Sequence, residues 1–262
     1  MKATQNQEGI RKIMNIGNIR GTEKPAEQAQ GFYIEKNALI SEAVSRLTVK
    51  IHDYKKKHGK KSIVLTGCST ANGTTMLAIN LSVALARSGS RTLFIDADMR
   101  TQVKHKSRMA DWGLRDVICG FYKSEDIVKP TGISRLYFMP SGNHAEDPTL
   151  LLCSGEASEF IDRISAEYDF VIIDCPAVTV APEASALFLN VDGIILVCAL
   201  NRTTKKQLQS AKNLVEPYAD KYYGLAVNSV DERQYRQLFQ NQGYYSVKTR
   251  RAGKKSGGSP YD

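Results

Sequence analysis

Apolar residues in this chain come in short runs separated by stretches of helical periodicity. Residues 63–65 (Ile63, Val64, Leu65) are a compact apolar run suited to a strand buried on both faces. Residues 66–73 are almost all small or polar, so the backbone there can come close to a ligand. Thr74 and Thr75 then open a helix with apolar positions at Leu77, Leu81, Val83, Ala84 and Leu85. The alternation repeats downstream. Residues 92–95 read as a second buried strand, with two acids, Asp96 and Asp98, at its end. Residues 113–120 read as a short amphipathic helix closed by glycine, and 136–139 as a strand followed by a turn at 140–143. Asp147 and Pro148 start a helix carrying Leu150, Leu151 and Leu152. Residues 170–173 form another buried strand, which ends in Asp174, and Pro176 opens the loop beyond it. Two further strands are predicted at 193–197 and 224–227, with Tyr222 and Tyr223 just before the last and Asn228 just after it. Strands alternating with helical segments predict an α/β fold, a mostly parallel sheet with helices on both faces.

Ahead of the first strand, Leu39, Ile40, Ala43, Leu47 and Ile51 fall at helical spacing over residues 37–56. Ser41 and Glu42 near its start favour the helix N-terminus electrostatically, and Gly59 is a stop signal. Residues 1–36 are polar and read as a flexible arm, and residues 246–262 as a basic, tyrosine-bearing tail. The folded domain is therefore expected over 37–245.

Composition narrows the class. A chain of 262 residues with 42% hydrophobic and 24% charged residues can bury a full core, as an ordinary globular protein does. No run reaches the length of a transmembrane helix and the polar N-terminus lacks a signal-peptide core, so a cytoplasmic location is expected. The five cysteines, Cys68, Cys119, Cys153, Cys175 and Cys198, are scattered and read as small apolar core residues. A net charge of +9 is concentrated at residues 55–61 and 248–255. Such runs are solvated surface or a contact for an anionic membrane face. Without interleaved aromatics or a nucleic-acid motif, no nucleic-acid partner is expected.

The candidate chemistry lies at the ends of the strands. A small-residue loop between strand and helix is a natural phosphate site, because the helix N–H groups are exposed there. The P-loop consensus G-x-x-x-x-G-K-[ST] is met only in part. Gly67 and Gly73 are one residue too far apart, and Thr74 stands where the lysine belongs. Thr75 keeps the hydroxyl expected on magnesium. Taken alone the stretch reads equally as a tight strand-to-helix turn. Downstream context favours phosphate: Asp96 and Asp98 at the carboxyl edge of a parallel sheet suit a magnesium ion or an activated water. Asp174, at the end of an apolar strand after a P-loop, is the Walker B arrangement.

Asp-Ala-Asp-Met-Arg (96–100), Gly-Leu-Arg-Asp-Val (113–117), Met-Pro-Ser-Gly (139–142), Phe-Val-Ile-Ile-Asp-Cys-Pro (170–176) and the tyrosine-bearing tail occur in one order. Together they resemble the bacterial tyrosine kinases of capsular and exopolysaccharide synthesis, over roughly residues 39–245. ParA/MinD-type P-loop ATPases are the architectural kin. The resemblance implies a P-loop NTPase-type fold and a subunit that uses ATP and Mg2+ to phosphorylate tail tyrosines, Tyr244, Tyr245 or Tyr261, of a neighbouring copy. It implies catalytic roles for Asp96 and Asp98, a magnesium set of Thr75, Asp98 and Asp174, and a nucleotide cradle of Gly67, Ala71, Asn72, Gly73, Thr74, Thr75 and Met76. Asn228 would sit near the adenine. The partner implied is a membrane-embedded activator, or chain-length protein, of polysaccharide synthesis, which would recruit the kinase to the inner face of the membrane.

Two motifs depart from the family pattern. Thr74 supplies a hydroxyl but no charge where the P-loop lysine neutralises the β- and γ-phosphates. The E-x-x-R-x-x-R oligomerisation pattern falls on Glu42, Ser45 and Thr48, with Arg46 displaced by one position, about 100° around a helix. Homo-oligomers would thus rest on a weakened motif. Three readings stay open: an active autokinase, a pseudokinase acting by docking, and a positioning ATPase.

Overall fold

The computed structural model describes residues 38–100, 112–142, 145–231 and 233–235. The expected arm at 1–36, the tail at 246–262 and Tyr244, Tyr245 and Tyr261 lie outside them, as do both ends of the expected domain. The chain divides into two compact units, Met1–Ser229 and Val230–Asp262. In the second, Asp231 accepts from the Gln234 backbone N–H at 2.8 Å and caps a short helical turn.

Helix α1 (Ala38–His58) leads into β1 (Ser62–Gly67), α2 (Thr74–Arg87) and β2 (Thr92–Asp96). Then come α3 (Leu114–Ile118), α4 (Ser124–Ile127), β3 (Lys129–Pro130) and β4 (Leu136–Met139). The chain continues through α5 (Pro148–Leu152), α6 (Gly155–Glu167), β5 (Phe170–Cys175), α7 (Pro182–Asn190) and β6 (Gly193–Ala199). Helix α8 (Lys205–Val215), a 3-10 turn (Glu216–Lys221) and β7 (Tyr222–Asn228) complete the unit. The seven strands form one sheet in the order β3-β4-β2-β5-β1-β6-β7. All pairings are parallel except β3 with β4.

The sheet is covered on both sides, as the unbroken apolar runs require. On one face Val64, Leu93, Ile95, Val171, Ile173 and Leu196 pack with residues of α6 and α7, including Phe160, Ile164 and Leu187. On the other, Ile63, Leu65, Phe94, Phe170, Ile172 and Val197 pack beneath Ile79, Leu81 and Leu85 of α2 and Ile51 of α1. Phe94, Phe160, Phe170 and Phe188 are fully buried, and each such side chain contributes about 2–3 kcal/mol of transfer free energy.

Two of the sequence motifs form one structural joint. The Asp116 carboxylate is buried, accepts the Gly113 N–H at 2.9 Å and pairs with Arg115 at 3.0 Å. The Leu114 N–H donates to Pro140 O at 2.8 Å and the Arg115 N–H to Ser141 O at 3.2 Å. A side chain at Gly113 would collide with the backbone of 140–142. The stretches 113–117 and 139–142 therefore fasten α3 to the end of β4.

Several expectations need correction. Tyr222 and Tyr223 lie inside β7, where Tyr223 stacks on Tyr54 of α1 at 3.9 Å between ring centroids. Glu42 is beyond the first turn of α1 and instead pairs with Arg46, 2.7 Å away on the same helix face. Cys119 and Cys153 are exposed, and Cys68, Cys175 and Cys198 buried. The basic stretch at 55–61 is partly spent within the fold. Lys55 pairs with Asp169 and Lys57 with Asp53, each at 2.7 Å. Lys60 and Lys61 donate to Asp220 O and Ser165 O near the ends of the 3-10 turn and α6. No helix among the described residues is long and apolar enough to cross a membrane.

Candidate functional site

The site forms where β1, β2 and β5 end side by side, the usual ligand edge of a parallel sheet. After Gly67 the chain turns through 68–73 into α2. Gly67 must be glycine, since a Cβ would sit 2.7 Å from Ser69 O and 3.1 Å from Thr74 Oγ1. Ala71 and Gly73 adopt left-handed φ values of 61° and 77°. Gly73 precedes α2 and offers no capping side chain. The N–H groups of the first turn thus form an anion-binding end without a side-chain cap.

Polar pins hold this loop to the sheet. Asn72 is buried. Its Nδ2 donates to Val197 O at 2.9 Å, and its Oδ1 accepts from Ser69 Oγ at 3.2 Å and Thr203 Oγ1 at 3.3 Å. Asn228, at the end of β7, donates to the Asn72 carbonyl at 2.9 Å. A Cβ at Gly73 would collide with the same amide. Thr179 Oγ1 donates to Cys68 O at 3.0 Å and the Val178 N–H to Gly67 O at 3.1 Å, so the loop after β5 braces the loop after β1. Ser69, Thr179 and Thr203 are contributions that sequence reasoning missed. Isolated hydroxyl residues in loops carry no pattern that would reveal them.

The acids converge. β2 and β5 are neighbours in register, so Asp96 lies opposite Asp174. Both are buried, 5% and 4% exposed, and this places two carboxyls in a site that solvates neither. Burial pushes the Asp96 carboxyl from the ordinary 3.8 up to about 7, against the Asp98 N–H that donates to its Oδ1 at 3.0 Å, with the Asp98 charge adding to the rise. Asp174 is pushed well upward by burial and then by the Asp96 charge, opposed by a hydrogen bond from the Thr75 hydroxyl. Its Oδ1 is buried without a hydrogen-bond partner among the described residues. Asp98 is less enclosed and accepts the Arg100 N–H at 3.1 Å. Glu183, in the first turn of α7, is fully buried and grips Arg100 through both carboxylate oxygens. An acid after Pro182 reads in sequence as an ordinary helix-start residue, so its burial could not be foreseen.

Asp96, Asp174, Thr75, Asn72, Gly73, Thr74 and Asn228 thus gather around one loop and one sheet edge. No group of three or more acid, histidine or cysteine side chains able to hold a metal alone occurs among the described residues. Magnesium needs no such cage. It is held by one or two carboxylates together with phosphate oxygens and water. The partnerless Asp174 oxygen, the adjacent acid and the Thr75 hydroxyl fit that mode.

Comparisons with known proteins give the family and the fold. Residues 61–225 match the AAA domain family. The chain is 30% identical over 175 residues to the tyrosine-protein kinase CpsD of Streptococcus agalactiae, covering 66% of this chain and 76% of that protein. Among solved structures it resembles the chimerical protein CapA2B2, with a TM-score of 0.69 and 26% identity over 76% of this chain and 88% of that one. The septum site-determining protein MinD of Pyrococcus horikoshii, complexed with Mg-ADP, shares the fold at a TM-score of 0.52 and 20% identity, over 68% of this chain and 76% of that one.

Proposed function

The chain belongs to the AAA domain family and, within it, to the bacterial tyrosine kinases, and from that premise we propose that it is a Mg-ATP-dependent tyrosine autokinase subunit regulating capsular or exopolysaccharide synthesis. The observation that carries this reading is the buried Asp96–Asp174 pair beside the uncapped start of α2. Two adjacent carboxyls in a desolvated pocket are costly unless a cation joins them. Thr75 and Asp174 would hold the magnesium ion, with Asp98 at the open side. When bound, that ion neutralises charge on the phosphate oxygens. The amides of 71–76, with Gly67 giving backbone access, cradle the phosphates. Asp96 is the proposed proton acceptor: burial raises its carboxyl to about 7 in the cation-free site, and a bound cation would favour the carboxylate form that accepts the tyrosine hydroxyl proton. Asn228 orders the nucleotide end of the site by fixing the Asn72 carbonyl.

Tyr244, Tyr245 and Tyr261 are the proposed acceptors, in a neighbouring copy. The proposed partner is a membrane-embedded activator that recruits the kinase to the inner face of the membrane. Homo-oligomer contacts through α1 would rest on a weakened motif, because Ser45 and Thr48 stand where the pattern has arginines.

Incubation with Mg-ATP and the activator, followed by peptide mass spectrometry, tests the proposal. Phosphotyrosine at one of the three sites is expected, and Asp96→Asn should abolish it. An unmodified tail in the wild type, or an Asp96→Asn protein that labels equally, refutes the autokinase. One feature favours the second reading, a pseudokinase: Thr74 brings no charge to the phosphates. A single lost electrostatic donor of this kind costs on the order of 100-fold in rate. On that reading the wild type fails to bind Mg-ATP, and Thr74→Lys restores binding.

A further inference from the structure

Two thiols face each other where β1 and β6 end, and the phosphate chemistry above uses neither. The ladder between these strands sets Gly67 beside Val197, and the Cys68 N–H continues it by donating to Val197 O at 2.8 Å. In a parallel pair that hydrogen bond makes Cys198 the next rung, directly across from Cys68. Neighbouring strands run about 4.8 Å apart, within the Cα separation that a disulfide spans. Both side chains lie on the same face of the sheet, in the core cluster that includes Val64 and Leu196. Burial first, and then the Cys198 charge, pushes the Cys68 thiol up to about 11, and Tyr222 lies within electrostatic reach of both sulfurs. Cys175 is on the same face but stands beside Thr66, two positions short of Cys68 and so about 6.6 Å back along the sheet. Cys68 is also the first residue of the phosphate loop, and its carbonyl accepts the Thr179 hydroxyl from the loop after β5 at 3.0 Å.

From this rung we infer that Cys68 and Cys198 are a modification site, a dithiol that a peroxide closes into a disulfide, and that the closed form tethers the phosphate loop to β6 and weakens its hold on phosphate. The second half rests on the nucleotide-binding reading above; the first does not. Cys198 is 7% exposed where Cys68 is fully buried, so it reacts first. Its sulfur bonds to one oxygen of hydrogen peroxide, the O–O bond breaks, and the other oxygen leaves as water with the thiol proton. The Cys68 sulfur then bonds to the Cys198 sulfur, the S–O bond breaks, and the hydroxyl leaves as a second water with the Cys68 proton. Two thiols and one peroxide thus give one disulfide and two waters. Bringing the sulfurs to about 2 Å draws Cys68 towards β6 and away from the Thr179 hydroxyl that holds its carbonyl. The loop has no slack to absorb this, since even a Cβ at Gly67 would sit 2.7 Å from Ser69 O. Burial of the thiols makes the reaction slow, so the site answers sustained oxidant and not a brief pulse.

The test uses the full chain carrying Cys119→Ser and Cys153→Ser, so that the two exposed thiols do not compete. It is held for hours in millimolar hydrogen peroxide at pH 8, digested without reductant and mapped by mass spectrometry. A Cys68–Cys198 linked peptide, lighter by two hydrogens than its two halves together and lost on adding dithiothreitol, is expected. Hydrogen exchange of the amides at 68–74 should slow at least threefold on oxidation. Mg-ATP, followed by calorimetry, should bind at least fivefold more weakly, and dithiothreitol should reverse both changes. Adding Cys198→Ala should abolish the linked peptide and both changes, whereas Cys175→Ala should still form the link. Thiols that stay free, that oxidise singly to sulfinic acid, or that join Cys68 to Cys175 overturn the site. A disulfide that leaves either loop exchange or Mg-ATP affinity unchanged overturns the tether. A reduced protein that binds no Mg-ATP takes down the nucleotide-binding reading and the second half together, while the linked peptide decides the first half by itself.

Discussion

Replacing Asp96 by asparagine should stabilise the protein above neutral pH, in proportion to what burying its charge costs. Asp96 is 5% exposed, faces Asp174 across the β2–β5 pairing and has Asp98 nearby. Folded Asp96 keeps its proton until about pH 7, whereas an unfolded one loses it near 3.8. Between those values the folded chain holds the extra proton, so stability falls as pH rises through that window. An upward displacement of about three pH units, at about 1.4 kcal/mol each, amounts to about 4 kcal/mol above pH 7 and to nothing below pH 4. Asparagine keeps the acceptor for the Asp98 N–H and carries no charge at any pH. The assay is urea unfolding from pH 4 to 8, with EDTA present so that no divalent cation neutralises the acids. With an m-value of about 2–3 kcal/mol/M for a domain of this size, the Asp96→Asn midpoint should lie about 1.5 M above the wild type at pH 8. The gap should close towards pH 4. Coincident midpoints at pH 8, or a gap of the same size at pH 5 and pH 8, would refute the claim that the site stores unneutralised carboxylate charge.

Other substitutions probe the scaffold. Gly73→Ala and Gly59→Ala both force alanine into a left-handed φ, 77° and 69°, for about 1–2 kcal/mol. Only at Gly73 does the new Cβ also strike the Asn228 amide, whereas at Gly59 it meets open space. The melting temperature should therefore fall further for Gly73→Ala, and equal losses would rule out the Asn228 contact. Asp116→Ala strands the buried Gly113 N–H and takes the partner from the half-exposed Arg115, and should cost about 1–3 kcal/mol in chemical unfolding. An unchanged midpoint would mean that the joint between α3 and β4 contributes nothing.

The runs at 63–65, 92–95 and 170–173 were legible because a strand buried on both faces must be apolar at every position. The same logic located Asp96 and Asp174 as the first acids after the apolar runs, but not that both stay buried within their strands. Tyr222 and Tyr223 were placed one step outside β7 because it is an edge strand, half-exposed and irregular in register, and lacks a continuous apolar signature. Glu42 was assigned to a helix start that lies a turn further back, an error of the kind single-residue spacing cannot avoid.

The amino-acid order alone thus determined the alternation of strands and helices, the small-residue loop with threonine where a P-loop has lysine, and the acids that follow the apolar runs. Those features are local: burial period, glycine conformation and the chemistry of adjacent residues. The tertiary structure decided which ends meet. Strand order sets β2 beside β5 and so makes Asp96 and Asp174 neighbours although 78 positions separate them. It brings Asn228 onto the Asn72 carbonyl. It buries Glu183 against an arginine 83 positions away. Burial and pairing at such separations depend on the packing of the whole sheet, because loop closure costs nearly the same for many alternative contacts and only the assembled core selects among them.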